Sequence, residues 1–121
     1  MNESTLREKG YDIKNATITS IDLSMADHGV LTLSMGLKGD GWGCVYGCRV
    51  PGNGYVGAEK FEGNEKGIEY IMRLMDTVGV SYFNEMKDKC VRVATKGWGS
   101  RVSIIGNIIK EKWFDEEDFF N

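Results

Sequence analysis

The alternation of apolar and polar residues between Val30 and Lys38 constrains the fold more than any other feature of this sequence. The residues on one side of the alternation are Leu31, Leu33, Met35 and Leu37. A period of two predicts a strand with one buried face. The Gly39-Asp40-Gly41 run that follows is a strong hairpin signal. The next alternating run, which begins at Trp42, is therefore expected to return antiparallel to the first.

Further strands are predicted on both sides of this pair. Residues 13–25 predict a first strand, in which a change of side-chain phase near Thr19 and Ser20 indicates a β-bulge. Residues 13–50 are therefore expected to form a three-stranded antiparallel meander. Residues 90–96 and 101–110 predict a C-terminal hairpin closed by a glycine-rich turn.

One main helix is predicted between these two groups of strands, over about residues 65–78. Its apolar residues recur with helical spacing at Ile68, Ile71, Met72 and Met75. Asn64 is the expected N-cap, and Gly79 the expected residue after the last turn. A short second helix is expected over residues 81–88. Strands grouped on either side of a helix predict a single α+β domain over residues 1–121, an antiparallel sheet with the main helix packed on it.

The two ends of the chain differ in character. Residues 1–12 are polar and predict a mobile or loosely packed start. Residues 113–121 form an amphipathic tail whose aromatic members are Trp113, Phe114, Phe119 and Phe120. Such a cluster is hard to bury in one small domain, so the tail predicts docking on a second copy and a homo-oligomer, either a dimer or a hexamer. Folding back of the tail on its own helix is equally compatible with the sequence.

Charge and composition argue against several functional classes. The net charge is −3, and the acids concentrate at residues 115–118, so the rest of the chain is nearly neutral. A protein that binds polymeric nucleic acid would show a basic excess. The chain has no run of about 18 apolar residues for a membrane span and no apolar leader, which predicts a cytoplasmic protein. Its three cysteines, at 44, 48 and 90, indicate reduced thiols.

Catalytic signals are weak. The only histidine, His28, lies in a turn beside Asp27, and no local pattern pairs it with a nucleophile. The glycines of residues 39–43 lie between two strands and not ahead of a helix, so they do not form a dinucleotide fingerprint. We therefore expect a protein that is not an enzyme and that holds no metal or cofactor.

The turn over residues 96–101 (KGWGSR) predicts a binding site for an anion that carries a flat ring. The backbone N–H groups of such a turn can line an anion, and Lys96 and Arg101 flank it with positive charge. Trp98 offers a face on which a base stacks. Arg92 lies on the same side of the incoming strand as Lys96. The alternative left open is a hairpin tip whose indole covers the sheet and whose cations are solvated.

Amide and helical side chains extend this predicted site. An amide can pair with the edge of adenine, which favours Asn84, beside Phe83, and Asn107, which interrupts an apolar strand. Arg73 lies off the apolar stripe of the main helix and either reaches a ligand or stays in water. The predicted ligand-binding residues are Arg73, Phe83, Asn84, Arg92, Lys96, Trp98, Arg101 and Asn107.

Several stretches of the chain resemble a family of small proteins from bacterial viruses. They are DHGVLTLSM, GDGWGCVYG, GIEYIMRLMDTVGV, KDKCVRV and IIGNIIKEKWF. Over about residues 11–120 the sequence is similar to the first-described family of Thoeris anti-defence proteins. The resemblance implies an oligomeric protein that binds a cyclic ADP-ribose signal (glycocyclic ADP-ribose) in the host cytoplasm. It implies that the signal is held intact, so that the host effector stays silent, and that some members also bind cyclic di- or trinucleotides at separate sites.

Two other functions remain open on the residues alone. A module that binds single-stranded nucleic acid would use Trp98, Trp42 and the cations, although the near-neutral charge counts against it. A protein-blocking inhibitor would cover a host enzyme with the aromatic tail. Capture of a dilute nucleotide needs about −9 to −12 kcal/mol, which favours an enclosed cleft completed by a second subunit or by the tail.

Overall fold

The computed structural model describes residues 1–47, 56–97 and 99–121. The strands are β1 (Asp12–Asp27), β2 (Val30–Gly39), β3 (Trp42–Gly47), β4 (Gly57–Glu59), β5 (Glu62–Gly63), β6 (Cys90–Thr95), β7 (Ile104–Asn107) and β8 (Trp113–Asp115). The helices are α1 (Glu3–Glu8), α2 (Glu65–Val78) and α3 (Glu116–Phe120), with a 3₁₀ turn at Phe83–Met86. Six strands form one antiparallel sheet in the order β3-β2-β1-β6-β7-β8, and β4 pairs with β5. The predicted α+β class is confirmed. Cys48 and Trp98, both singled out by the sequence, lie outside the described residues.

The predicted meander is confirmed as far as Gly47, where the described part of the third strand ends. β1 pairs with β2, and β2 pairs with β3. The register of β1 against β2 shifts between Ile18 and Ser20, at the predicted bulge. Because a bulge inserts one residue into the alternation, Ala16 before it and Ile21 after it both pack against the same core.

The two halves of the chain meet at the centre of the sheet, where β1 pairs with β6 and Thr17 lies opposite Cys90. β6 and β7 form the predicted C-terminal hairpin. β7 is shorter than the predicted strand over residues 101–110, because the chain turns after Asn107 and leaves Ile109 84% exposed. β8 then pairs with β7 as an edge strand that the sequence pattern did not indicate.

Helix α2 has the predicted bounds but buries a different stripe. The Asn64 side chain accepts a hydrogen bond from the Lys66 N–H at 3.0 Å, and Gly79 ends the helix with a φ of +91°. The buried apolar side chains are Tyr70, Leu74 and Val78, with Ile71 and Met75 partly buried. Ile68 and Met72, by contrast, are 49% and 62% exposed. The helix is turned so that Tyr70, which carries the largest apolar surface, faces the sheet.

Helix α1 covers part of the sheet face that α2 leaves open. Its Leu6 is 2% exposed and packs against Ala94 and Ile104. The Asn2 side chain caps the helix by accepting a hydrogen bond from the Thr5 N–H at 2.9 Å. In place of the loose start that the polar sequence predicts, residues 3–8 form a capped helix. Leu6 provides the apolar contact between this helix and the sheet.

The C-terminal tail folds back on its own chain. The ring of Tyr70 in α2 lies 5.8 Å from that of Phe114 and 5.0 Å from that of Phe120. Phe114 is 7% exposed, and Phe119 also packs against the main core. Of the two arrangements that the sequence left open, the structure therefore has the intramolecular one. Phe119 and Phe120 stay half-buried within the single chain, and docking of the tail on a second copy stays a prediction.

Candidate functional site

A cleft of about 280 Å³ opens at one end of the sheet. Its described lining comes from the start of β1, the β2–β3 turn with the first part of β3, the end of β6 and the loop after β6. These residues are Lys14, Asp40, Gly41, Trp42, Gly43, Cys44, Thr95, Gly97, Gly99, Ser100 and Val102. Small-molecule sites commonly measure about 300–1,000 Å³. This cleft therefore has room for part of a nucleotide-sized ligand.

Trp42 supplies the aromatic wall of the cleft. It is the first residue of β3 and lies opposite Gly39 in the hairpin. The indole covers Gly39 so closely that a Cβ at position 39 would collide with the ring. The side chain is half-buried and packs against the main core. The absence of a side chain at Gly39 therefore leaves space for the indole, and Trp42 also lines the cleft.

Backbone of the loop after β6 forms the facing wall. Gly97 and Gly99 have φ values of +115° and +79°, a region that favours glycine. The Ser100 N–H donates to the Gly97 carbonyl at 3.1 Å, and the Gly97 N–H donates to the Thr95 hydroxyl at 3.3 Å. The turn therefore uses two of the N–H groups that the sequence offered as an anion cradle. Trp98, the predicted stacking platform, belongs to this loop but lies outside the described residues.

The lysine that lines the cleft is Lys14 and not Lys96. Lys14 is exposed near the start of β1, where a lone cation gives no signal in the sequence. The Lys96 ammonium donates to the Lys9 carbonyl at 2.7 Å and lies 4.4 Å from the centre of the Tyr11 ring. A cation is favourable at the C-terminal end of a helix, so Lys96 ties α1 to the sheet. Asp40 places a carboxylate on the same cleft.

Arg92 makes its contacts within the chain, on the α1 side of the sheet. Its guanidinium donates to the carbonyls of Asn107 and Lys110 and to the carboxylates of Glu3 and Glu111, at distances from 2.7 to 3.1 Å. The guanidinium carbon also lies 4.6 Å from the centre of the Trp113 ring. Arg92 is only 8% exposed. These contacts take up most of the five N–H donors of an arginine, so the predicted ligand residue links α1 to the β7–β8 turn.

Asn107 joins the end of α2 to the β7–β8 turn. Its Nδ2 donates to the carbonyls of Thr77 and Val78, at 3.0 and 3.2 Å. Its Oδ1 accepts from the N–H groups of Ile109 and Lys110, at 2.9 and 2.8 Å. A helix end leaves its last carbonyls without partners, and Asn107 satisfies two of them. The amide that was predicted to bind adenine therefore has intramolecular partners on both sides.

Three further predicted residues are not among those that line the cleft. Arg73 pairs with Glu69 one turn away at 3.0 Å, on the exposed side of α2. Phe83 is half-buried against the main core, and its neighbour Asn84 is exposed. The predicted ligand-binding residues therefore do not lie together in the structure. The cleft lies where the sequence placed the binding turn, but its other wall comes from Lys14 and Trp42.

Arg101 belongs to a buried polar cluster behind the cleft, which consists of Tyr46, Tyr70, Arg101 and Glu116. The Arg101 guanidinium pairs with one carboxylate oxygen of Glu116. The Tyr70 hydroxyl donates to the other oxygen at 2.8 Å. Glu116 is fully buried, and the side chain of Arg101 is 19% exposed. No sequence pattern indicates this cluster, because Glu116 stands in an acidic run that is typical of a solvated surface.

No protein-family model, curated protein or solved structure matches this chain. In the part of the chain that the structure describes, no helix combines the length and apolar character that a membrane crossing requires. Within the same residues, no group of three or more His, Cys, Asp and Glu side chains is placed to hold a metal ion. A functional proposal therefore rests on the cleft and on the buried polar cluster behind it.

Burial sets the acid–base behaviour of the cluster. It raises the pKa of Glu116 above its ordinary value, because the loss of hydration outweighs the hydrogen bond from Tyr70 and the charge of Arg101. Burial also raises the pKa of the Tyr46 and Tyr70 hydroxyls. Both tyrosines therefore keep their protons at neutral pH.

We expect the contribution of Glu116 to stability to depend on pH. A carboxyl whose pKa is raised by folding stabilises the fold below its ordinary value of 4.5, and this contribution is lost as the pH rises through the native pKa. The stability margin of the wild type over Glu116→Gln should therefore shrink as the pH rises from about 4.5 towards neutral. Denaturant titrations of both proteins across this range measure the margin, and the other carboxyls cancel in the comparison. A margin that grows with pH would contradict the raised pKa.

Proposed function

We propose that this protein binds a cyclic ADP-ribose signal (glycocyclic ADP-ribose) and sequesters it without cleavage. In this role it would be a bacteriophage anti-defence protein that blocks Thoeris immunity in the host cytoplasm, and it would also accept cyclic oligonucleotides. The observation that carries the proposal is the convergence of an indole, an ammonium group and a glycine turn on one cleft. Bases stack on aromatic rings, and phosphates attract cations.

Each part of such a ligand has a counterpart in the cleft. Stacking of adenine on the Trp42 ring is worth about 1–3 kcal/mol. The Lys14 ammonium offers a charge to the pyrophosphate, and the Asp40 carboxylate can accept a hydrogen bond from a ribose hydroxyl. The glycines at 97 and 99 let the ligand approach the backbone closely.

Retention without cleavage is proposed from the position of the titratable groups. The described cleft residues of this kind are Lys14, Asp40 and Cys44. The only histidine of the chain, His28, follows the end of β1 that is opposite to Lys14, so the described cleft lining contains no imidazole base.

Enclosure of the ligand is the reason for including a homo-oligomer, a dimer or a hexamer, in the proposal. A cleft of about 280 Å³ leaves much of a dinucleotide-sized ligand in water. Capture of a dilute signal requires most of the ligand surface to be buried. β3 is an outer strand of the sheet and borders the cleft. A second copy docked along β3 would close the cleft over the ligand.

Replacing Lys14 by alanine is expected to weaken binding of cyclic ADP-ribose by about 10-fold to 100-fold, because a charge-assisted contact to phosphate is lost. Isothermal titration calorimetry with the cyclic ADP-ribose isomers measures the change. Lys38→Ala is the matched control, since Lys38 is an exposed lysine that lines a different groove. Equal affinity of the wild type and Lys14→Ala would contradict a phosphate contact in this cleft.

The fate of the bound molecule tests sequestration directly. The protein is incubated with a cyclic ADP-ribose isomer and then denatured, and the released nucleotide is weighed by mass spectrometry. Recovery of the input molecule is the expected result, whereas linear ADP-ribose would show turnover and overturn the proposal. The alternative of a protein-blocking inhibitor has less support, because the aromatic tail packs on α2.

A further inference from the structure

The loop that walls the cleft is fastened at its far end to helix α3. The Glu116 N–H donates to the Ser103 carbonyl at 2.9 Å. The Arg101 guanidinium pairs with the Glu116 carboxylate, and its Nη1 lies 3.9 Å from a Glu117 oxygen. Val102, between them, is 6% exposed and packs into the main core. One backbone contact and one ion pair therefore hold the loop to the same residue of α3.

Glu116 is fixed in turn from the side of the core. The Tyr70 hydroxyl donates to it at 2.8 Å, and Tyr70 is fully buried in α2. Movement of the Glu116 carboxylate would leave the Tyr70 hydroxyl and the Arg101 guanidinium without partners in an interior that penalises unpaired polar groups. These contacts thus connect α2 to Arg101 through the Glu116 carboxylate.

Arg101 is placed to hold the loop and not to touch the ligand. Ser100 lines the cleft, but Arg101, the next residue, does not. Its Nε and Nη1 are buried, and neither has a hydrogen-bond partner among the described residues. Its Nη2 is directed to Glu116. The guanidinium therefore points into the protein, behind the wall that its backbone helps to form.

We propose that Arg101 and Glu116 are positioning residues for the cleft. Their ion pair holds Gly97, Gly99 and Ser100 in the conformation that walls the cleft, so ligand affinity depends on a contact that the ligand does not touch. This inference rests on the proposed function of the cleft. It differs from the direct phosphate contact that the sequence predicted for Arg101. Under direct contact, removing the charge of Glu116 would release Arg101 and would leave affinity unchanged or raise it.

Calorimetry with cyclic ADP-ribose on Arg101→Lys, Glu116→Gln and the double variant separates the two roles. Under the positioning role, each single substitution lowers affinity by about threefold to tenfold, and the double variant loses no more than the weaker-binding single variant. Unchanged or higher affinity in Glu116→Gln would overturn the inference. Asp76→Asn is the matched control, because it breaks an exposed ion pair with Lys112 that does not line the cleft. This control should not change affinity.

The effect of the Arg101–Glu116 pair on the loop can also be measured without ligand. Hydrogen exchange of the peptide that covers residues 96–103 is compared in the full-length wild type, Glu116→Gln and Arg101→Lys. We expect about tenfold faster exchange in this peptide in both variants, with exchange in α2 unchanged. Unchanged exchange in the peptide would overturn the positioning role, whether or not nucleotide binds. Faster exchange in the variants, combined with no binding by the wild type, would overturn the proposed function alone.

Discussion

Replacement of Glu116 by alanine is expected to lower the free energy of unfolding by about 3–5 kcal/mol. The substitution leaves the Arg101 guanidinium without its carboxylate and the Tyr70 hydroxyl without its acceptor. Glu116 is fully buried, so water does not readily replace the lost partner. Denaturant titration followed by circular dichroism measures the loss.

Two neighbouring substitutions give this measurement its controls. Glu116→Gln keeps the size of the side chain and an oxygen that accepts from Tyr70, so its cost is expected to be clearly smaller. Glu117→Ala removes a carboxylate whose side chain is 64% exposed, and it should change stability by less than about 0.5 kcal/mol. If Glu116→Ala costs no more than Glu117→Ala, the buried polar cluster does not stabilise the fold.

Arg92→Ala is expected to cost about 3 kcal/mol. The substitution removes four hydrogen bonds and uncovers one face of the Trp113 ring. Arg92→Lys should recover only part of the loss, since a single ammonium does not reproduce the planar fork. Thermal unfolding of both variants measures these effects.

The same variants decide between a structural role and a ligand role for Arg92. Because its donors are used within the chain, the folded fraction of Arg92→Ala should bind cyclic ADP-ribose with the affinity of the wild type. Arg73→Ala serves as the control for loss of an arginine. Its ion pair with Glu69 is exposed and contributes less than about 1 kcal/mol. Loss of binding in Arg92→Ala without loss of stability would instead favour direct contact with the ligand.

The fold was predictable where its signals are local. Alternation predicted β2, and cap residues on both sides predicted the ends of α2. The break in phase near Thr19 predicted the bulge. The buried face of α2 was less predictable. Ile68 and Met72 have the spacing of a buried helical face but are exposed, whereas Tyr70 is buried. Helix α1 was missed, since Leu6 is its only apolar residue and its polar contacts with Arg92 and Lys96 join segments that are far apart in the sequence.

The site was predictable only in part, because the sequence alone does not show which residues a polar side chain contacts in the folded protein. Asn107 in an apolar strand indicated a partner, and that partner proved to be the end of α2, 30 residues earlier at Thr77. Arg92 was taken for a ligand residue because its contact with Glu3 spans 89 residues. Lys14 was not predicted as a site residue, because it lines the cleft only through the pairing of β1 with β6, which the sequence pattern does not indicate. The role of Trp98 stays a prediction.

The pairing at the centre of the sheet has a consequence for how the chain folds. Thr17 and Cys90 lie side by side there but are 73 residues apart in sequence. Loop-closure entropy makes such a distant pairing slow to form, whereas the β1–β2 hairpin closes early. Until β6 pairs with β1, the backbone N–H and C=O groups along one edge of β1 are unpaired and can bond to a strand of another chain. Refolding yield should therefore fall with protein concentration, as intermolecular strand pairing competes with closure of the sheet.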